Sequence, residues 1–281
     1  MIRFLNINAI KDALQIERVA NKTIGFVPTM GALHEGHIQL IRRAVSENDI
    51  CVCSIFVNPI QFNNKEDLEK YPRNLEADCD KLQKAGCQMV FIPEVSEMYP
   101  EPDLTQFNFG LLDKILEGEF RPGHFNGVAI VVKKLFEIVQ PNFAYFGEKD
   151  FQQLAIINRL VEMENIPVKI IPCPTIREKD GLAMSSRNMR LTEEERAIAP
   201  QIYQNLVSIK KSFNHKNASY LIQKAIQNLN KLEGMKVEYL AIVNSKTLLP
   251  FEEQNTHKKD SVALIATFLG KVRLIDNIKL D

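Results

Sequence analysis

An α/β fold is the class this sequence predicts: a doubly wound parallel sheet with a smaller α+β domain at its C-terminal end. Three observations predict it. Short apolar runs beginning near Ile24, Ile50, Gln88, Asn142 and Val168 alternate with helical stretches, giving at least five strand–helix alternations. The run ICVCSIFV from residue 50 is almost unbroken in its apolarity, as a strand covered on both faces requires. From Thr175 the texture changes to a charged stretch, then to helices and alternating apolar runs, which separates residues 1–175 from 176–281 with a hinge near Ile176.

In chain order, MIRFLNINAIKDALQ reads as a strand entering a helix and lacks the long apolar centre of a leader peptide. Residues 24–27, IGFV, form a buried strand that Pro28 and Gly31 break into a turn. The helix after it places Ile38, Leu40, Ile41, Ala44 and Val45 on one apolar face, with Arg42, Arg43, Glu47 and Asn48 toward water. A second strand ends in FVNPIQF, and a helix over 75–85 stops at Gly86. A strand over 88–92 leads into a proline-rich loop. The stretch EGEFRPGHFNG from Glu117 reads as a polar, glycine-rich loop running into an apolar helix over 128–139. Strands over 142–147 and 168–172 enclose a helix over 151–164. Thr192 and Glu195 form a capping box for a helix that Pro200 kinks or restarts. A helix over 218–232 and the runs VEYLAIV, VALIATFL and KVRLIDN complete the chain.

The 35 basic and 35 acidic residues cancel, so no overall field favours nucleic acid or an anionic membrane, and any phosphate must be held by local groups. No apolar run is long enough to cross a bilayer. Five scattered cysteines, Cys51, Cys53, Cys79, Cys87 and Cys173, read as reduced structural thiols in a cytoplasm.

The chemistry concentrates in the turn after the first central strand. It carries neither the three-glycine dinucleotide fingerprint nor the lysine of a P-loop. It carries His34-Glu35-Gly36-His37, two imidazoles three residues apart at a helix start, where both rings share one side. Such a pair above a strand's carboxyl end can steady charge growing on a phosphoryl oxygen. A zinc pair and a purely structural pair are the alternatives, and no nearby Cys or further His completes a metal set. Asn58 and Gln61 end the next strand, where turn chemistry is the competing explanation for Asn58. Lys149 at a helix N-terminus runs against the macrodipole and suggests a phosphate partner, while Asp150 is a natural cap and Gln153 lies one turn further in. Met184-Ser185-Ser186-Arg187-Asn188 offers two hydroxyls and a guanidinium, a clamp able to close on a triphosphate.

The HEGH turn resembles the nucleotide-binding signature of the HxGH nucleotidylyltransferases and class I aminoacyl-tRNA synthetases, which are Rossmann-like. VPTMGALHEGH, FVNPIQF, YPR, RPGHFNGV, YFGEKDFQQL, IREKDGLAMSSRN and KVRLIDN, taken in order over nearly the whole chain, are similar to the motifs of the pantoate–β-alanine ligases. Asn74 after Tyr-Pro-Arg is a small departure from an expected threonine, and asparagine caps as well. The resemblance implies an ATP-dependent condensation of pantoate with β-alanine through a pantoyl adenylate, releasing AMP and pyrophosphate. It implies that Met30, Gly31, Ala32, Leu33, His34, Glu35, Gly36 and His37 bind ATP, with His34 and His37 at its phosphates. It gives Gln61 and Gln153 to pantoate, with Asn58 beside them. Gly147, Glu148, Lys149 and Asp150 take the nucleotide, Lys149 at phosphate and Asp150 at ribose. Ile176 meets adenine through its backbone, and Met184, Ser185, Ser186 and Arg187 close on the phosphates. Asp78 is the carboxylate it suggests for Mg²⁺, and Glu117, Arg121 and His124 fall in a loop near the site. The family also implies a homodimer. A plain adenylyltransferase, which needs no amine, and a catalytically inactive ATP sensor are the rival functions; a tRNA synthetase lacks support in the net charge.

Overall fold

The computed structural model describes residues 1–63, 65–214, 217–250 and 260–280. Its contacts divide the chain into two compact units, Met1–Glu148 with Gln153–Pro174, and Lys149–Gln152 with Thr175–Asp281.

The first unit is built on six strands, β1 (Ile2–Phe4), β2 (Ile24–Thr29), β3 (Ile50–Ile55), β4 (Met89–Phe91), β5 (Phe143–Gly147) and β6 (Lys169–Cys173). All pair in parallel, in the order β1-β4-β3-β2-β5-β6. The helices α1 (Ile7–Val19), α2 (Glu35–Glu47), α3 (Lys65–Glu69), α4 (Leu75–Lys84), α5 (Val95–Met98), α6 (Glu117–Phe120), α7 (His124–Val139) and α8 (Phe151–Met163) connect them; the first two residues of α8 count with the second unit. The doubly wound sheet predicted from the alternation is therefore present, with β1 added at its edge. Strand order reverses at β2, whose neighbours are β3 on one side and β5 on the other. A reversal of this kind leaves a crevice outside the carboxyl ends of the strands, so the turn that follows β2 borders it.

Each face of the sheet has its own core. On one, Phe136 of α7 packs edge-on against Phe26 of β2 and Phe146 of β5, with ring centroids 6.4 Å apart in both pairs. On the other, Ile41 and Ala44 of α2 and Leu82 of α4 pack with Val27, Val90 and all five cysteines, which are free and buried. Burial pushes the Cys53 thiol well above its ordinary range, so it stays protonated and inert.

Two details differ from the sequence reading. Asn48 does not face water: its Nδ2 donates to the Ala44 carbonyl at 2.9 Å and to Tyr145 Oη at 2.7 Å, and that hydroxyl donates to Glu47 at 2.9 Å. The reason is that α2 lies over β5, where Tyr145 is buried and burial lifts its phenol to about 12. Arg43 keeps a side chain 38% exposed, and it also donates to the Pro172 carbonyl at 2.9 Å. The glycine-rich stretch from Glu117 is largely helical, forming α6 and the start of α7, with Gly123 at φ 81° as the left-handed joint between them.

The second unit holds α9 (Glu193–Ile198), α10 (Gln201–Ser212), α11 (Ala218–Asn230) and an antiparallel sheet of β7 (Met235–Asn244), β8 (Ser261–Leu269) and β9 (Val272–Lys279), in that order. Thr192 and Glu195 cap α9 reciprocally, at 3.2 and 3.0 Å, and Pro200 separates α9 from α10. Ile202, Leu206, Leu229, Ile265 and Leu269 are central to its core. No helix among the described residues is long and apolar enough to cross a membrane.

Phe136→Ala should destabilise the first unit by about 3–5 kcal/mol, because it opens a cavity where helix and sheet meet. Chemical denaturation measures this, and a loss under about 1 kcal/mol would contradict the packing described.

Candidate active site

The turn between β2 and α2 is held in an uncommon shape. Gly31 and Ala32 both adopt left-handed backbone, at φ 78° and 50°. Such a conformation is easy for glycine and costly for alanine, so something must hold it. That something is Asp78 of α4, 2% exposed, whose two carboxylate oxygens accept the Ala32 and Leu33 N–H groups at 2.8 Å each. One helical turn on, Lys81 donates to the Leu33 carbonyl at 2.6 Å. A Cβ on Gly31 would also lie 3.0 Å from the Asp78 carboxylate. From below, Thr29 Oγ1 donates to the Ser54 carbonyl at 2.7 Å and accepts from Gly31 N at 3.2 Å.

This turn delivers the histidines. α2 starts at Glu35, with His34 as its N-cap residue. The His34 N–H donates to His37 Nδ1 at 3.3 Å, which puts His37 in the place a glutamate holds in a capping box. With Nδ1 accepting, a neutral His37 carries its proton on Nε2. The two rings lie 4.1 Å apart at 40°, so the shared side read from the spacing is realised. Glu35 is exposed and pairs with Arg42; Gly36 is half-buried.

At the end of β3, Pro59–Gln61 forms a 3-10 turn against α7. Gly127 permits this approach: a Cβ there would stand 2.5 Å from the Ile60 carbonyl oxygen and 2.8 Å from Gln61 Cα. Asn58 is 1% exposed and its Nδ2 donates to the Gly127 carbonyl at 3.0 Å and to Gln61 Oε1 at 3.1 Å, while Tyr99 Oη donates to its Oδ1 at 2.9 Å. A carbonyl can only accept, so Gly127 fixes which way the Asn58 amide faces. Asn58 in turn holds the oxygen of Gln61, leaving the Gln61 amide nitrogen toward Met30, whose Sδ is 3.0 Å away. His124 donates through Nδ1 to the Gln61 carbonyl at 2.8 Å. Asn58 and His124 thus act on Gln61, whereas Glu117 and Arg121 pair with each other at 3.8 Å. Gln153 is half-buried in the first turn of α8.

β5 ends at Gly147 and passes directly into a 3-10 turn, Glu148–Asp150, all half-buried. Lys149 and Asp150 belong to the second unit. Lys149 Nζ lies 3.9 Å from Asp150 Oδ1, and its carbonyl accepts from Asn277 Nδ2 at 2.8 Å. In the same unit the Ile176 carbonyl accepts the Met184 N–H at 3.0 Å, closing the base of the serine-bearing segment. That segment is more regular than a loop: Ser186–Arg190 is a 3-10 helix that Ser185 Oγ caps by accepting from Arg187 N at 3.2 Å. Ser186 is buried, and Arg187 is half-buried. At its base Arg177 makes a two-pronged bond to Asp276 at 2.6 and 2.9 Å.

The sequence reading assigned no part to Lys81, Tyr99, Arg177, Asp276 or Asn277. Lys81 was detectable, three residues after Asp78 on one helix face. The others are joined to their partners by long-range bonds that carry no local signal.

Asp78, expected at Mg²⁺, has both oxygens turned to the backbone, and among the described residues no group of three His, Cys, Asp or Glu side chains could hold a metal. The described residues therefore build no cage for one. A cavity of about 240 Å³ opens beside the turn, lined by Met30, Gly31, Val57, Arg73, Asp78 and Glu94.

A family model described as pantoate-beta-alanine ligase matches residues 3–279. The chain is 51% identical over 279 residues to the pantothenate synthetase of Porphyromonas gingivalis, covering 99% of each. It is 50% identical over 280 residues to that of Cytophaga hutchinsonii, again with 99% of each covered. Among solved structures, the pantothenate synthetase of Thermus thermophilus is similar with a TM-score of 0.92 and 41% identity, over 100% of this chain and 99% of that one. The pantoate-beta-alanine ligase of Francisella tularensis, complexed with beta-gamma ATP and beta-alanine, is similar with a TM-score of 0.82 and 40% identity, over 100% and 98%.

Asp78→Asn should lower kcat and cost about 1–3 kcal/mol of stability, because an amide cannot accept from both buried N–H groups. Raising Mg²⁺ should not restore turnover. Recovery on Mg²⁺ titration would make Asp78 a metal ligand instead.

Proposed function

The chain belongs to the pantoate-beta-alanine ligase family, and from that premise we propose how its own residues carry the reaction. The enzyme is an ATP-dependent ligase that joins pantoate to β-alanine. On our reading it works in two displacements. The pantoate carboxylate attacks the α-phosphorus of ATP and pyrophosphate leaves, forming pantoyl adenylate. The β-alanine amine then attacks the activated carbonyl, and AMP leaves with the carbonyl–oxygen bond broken toward phosphate.

The observation that carries this reading is the bond from the His34 N–H to His37 Nδ1, which puts the proton of a neutral His37 on Nε2, the donor we assign to the oxygen on which charge grows as pyrophosphate departs. A carboxylate attacking a polyanion must have both charges countered, and His34, His37, Lys149 and Arg187 are the donors and cations we assign to that. Gln61 offers pantoate an amide N–H, and Gln153 supplies a second amide. The backbone of residues 30–33, with Gly36, Gly147 and Glu148, borders the nucleotide, Asp150 takes its ribose, and the backbone of Ile176 takes adenine. Met184, Ser185 and Ser186 complete the contact with the phosphates as part of the 176–281 lid domain. Mg²⁺ bound with the nucleotide would supply further neutralisation of the phosphate charge, a mode that needs no protein cage. Neither step calls for a nucleophilic side chain. The five sealed, reduced thiols accord with a cytoplasmic enzyme, and the family reading makes it a homodimer, which sedimentation measures.

Enzyme, ATP, Mg²⁺ and pantoate, with and without β-alanine, should give pantothenate and free AMP only when the amine is present. Steady AMP release without it would point to a plain adenylyltransferase. His37→Ala should lower kcat by about 10²-fold or more with the fold intact, the effect of losing one charge-stabilising donor; wild-type turnover would remove His37 from the mechanism. Lys149→Ala should slow adenylate formation in single-turnover assays and leave attack of β-alanine on preformed adenylate nearly unchanged, and slowing of the second step alone would refute that role.

A further inference from the structure

The sheet of the first unit leads the chain to Lys149, yet the contacts of residues 149–152 group them with the second unit. One side-chain bond reaches them from the last strand of that unit. Asn277 of β9, 6% exposed, donates from Nδ2 to the Lys149 carbonyl at 2.8 Å. Asn277 is itself held on both sides. Its N–H donates to Asp276 Oδ1 at 2.7 Å, and its carbonyl accepts from Arg177 at 3.1 Å. Arg177 grips Asp276 with two further bonds, donates to the Gly181 carbonyl at 3.1 Å and stacks 3.7 Å above the Tyr203 ring. Both terminal nitrogens of that guanidinium make two bonds each, a geometry in which the planar fork is hard to replace with lysine. Burial pushes the Asp276 carboxyl up, while Arg177 and, more weakly, the charge of Lys149 pull it down, so the ammonium of Lys149 lies within its electrostatic reach.

We propose that Asn277, locked by the Arg177–Asp276 pair, is a positioning residue that fixes the main chain of Lys149 and thereby aims its ammonium at the phosphates. This rests on the reading that Lys149 meets ATP. The same arginine leaves the chain one residue after Ile176, so a single buried pair orders both the base of the serine-bearing segment and the lysine. The two phosphate-facing groups of the second unit then share one anchor on the terminal strand.

The test is a double-mutant cycle on single-turnover pyrophosphate release, with ATP and pantoate and no β-alanine. Asn277→Ala should slow that step about tenfold, the scale of one hydrogen bond, with the thermal midpoint within a few degrees of wild type. In a Lys149→Ala background the same change should cost less than about twofold, because the group it positions is gone. Equal losses in both backgrounds would overturn the proposal. If Lys149→Ala alone leaves the step unchanged, the reading of Lys149 fails first, a distinguishable outcome. Asn277→Ser, which keeps a polar side chain too short to reach the carbonyl, should reproduce the alanine result and serves should that variant fold poorly.

Discussion

The site depends first on a buried carboxylate gripping backbone. Asp78 accepts two adjacent N–H groups from a turn whose residues 31 and 32 both lie in left-handed space. A non-glycine residue there costs on the order of 1–3 kcal/mol, and charge-assisted bonds of this kind are strong enough to offset it. The shape of the turn sets where α2 begins, and the start of α2 sets which way His34 and His37 face. Lys81 adds a third hold on the same turn from the same helix. A helix distant in sequence from the histidine turn thus determines the direction of the two imidazoles.

A similar economy of acceptors governs the amide side of the crevice. The Gly127 carbonyl cannot donate, and from that restriction the orientations of Asn58 and then Gln61 follow. With no net charge on the chain, anionic substrates must be met by groups oriented one at a time. Two of these groups are oriented by a bonded neighbour, His37 by the His34 backbone and Gln61 by Asn58 and His124. Support of this kind keeps reacting atoms aligned before any substrate arrives, which reduces the reorganisation left for the chemical step.

Much of the sheet was legible because apolar run length and helical period are local properties, and β2, β3, α2 and the Thr192 cap declare themselves in a few residues each. The HEGH spacing declared a shared side for the two rings for the same reason. What was not legible depended on distant partners or on composition that points the wrong way. Asn48 looks solvent-facing in its helix, and only the position of Tyr145, 97 residues on, gives it a buried partner. The glycines and proline from residue 118 to 127 read as a loop, although Gly127 is a helical position chosen for how closely Ile60 approaches it. Arg177 and Asp276 are 99 residues apart, and nothing in either neighbourhood announces their pairing. The carboxylate of Asp78 stood out as important, but its chemistry could not be told from sequence: a metal and a pair of amide hydrogens make the same demand on an aspartate.

All five thiols lie sealed in the interior beside the sheet. The outside of the native protein is consequently blank to maleimide chemistry. A cysteine introduced at an exposed position such as Met189, 71% accessible next to the serine–arginine segment, would react alone, with no background thiols to remove. The wild-type chain is in that sense already prepared for single-site fluorescent or spin labelling of its serine–arginine segment.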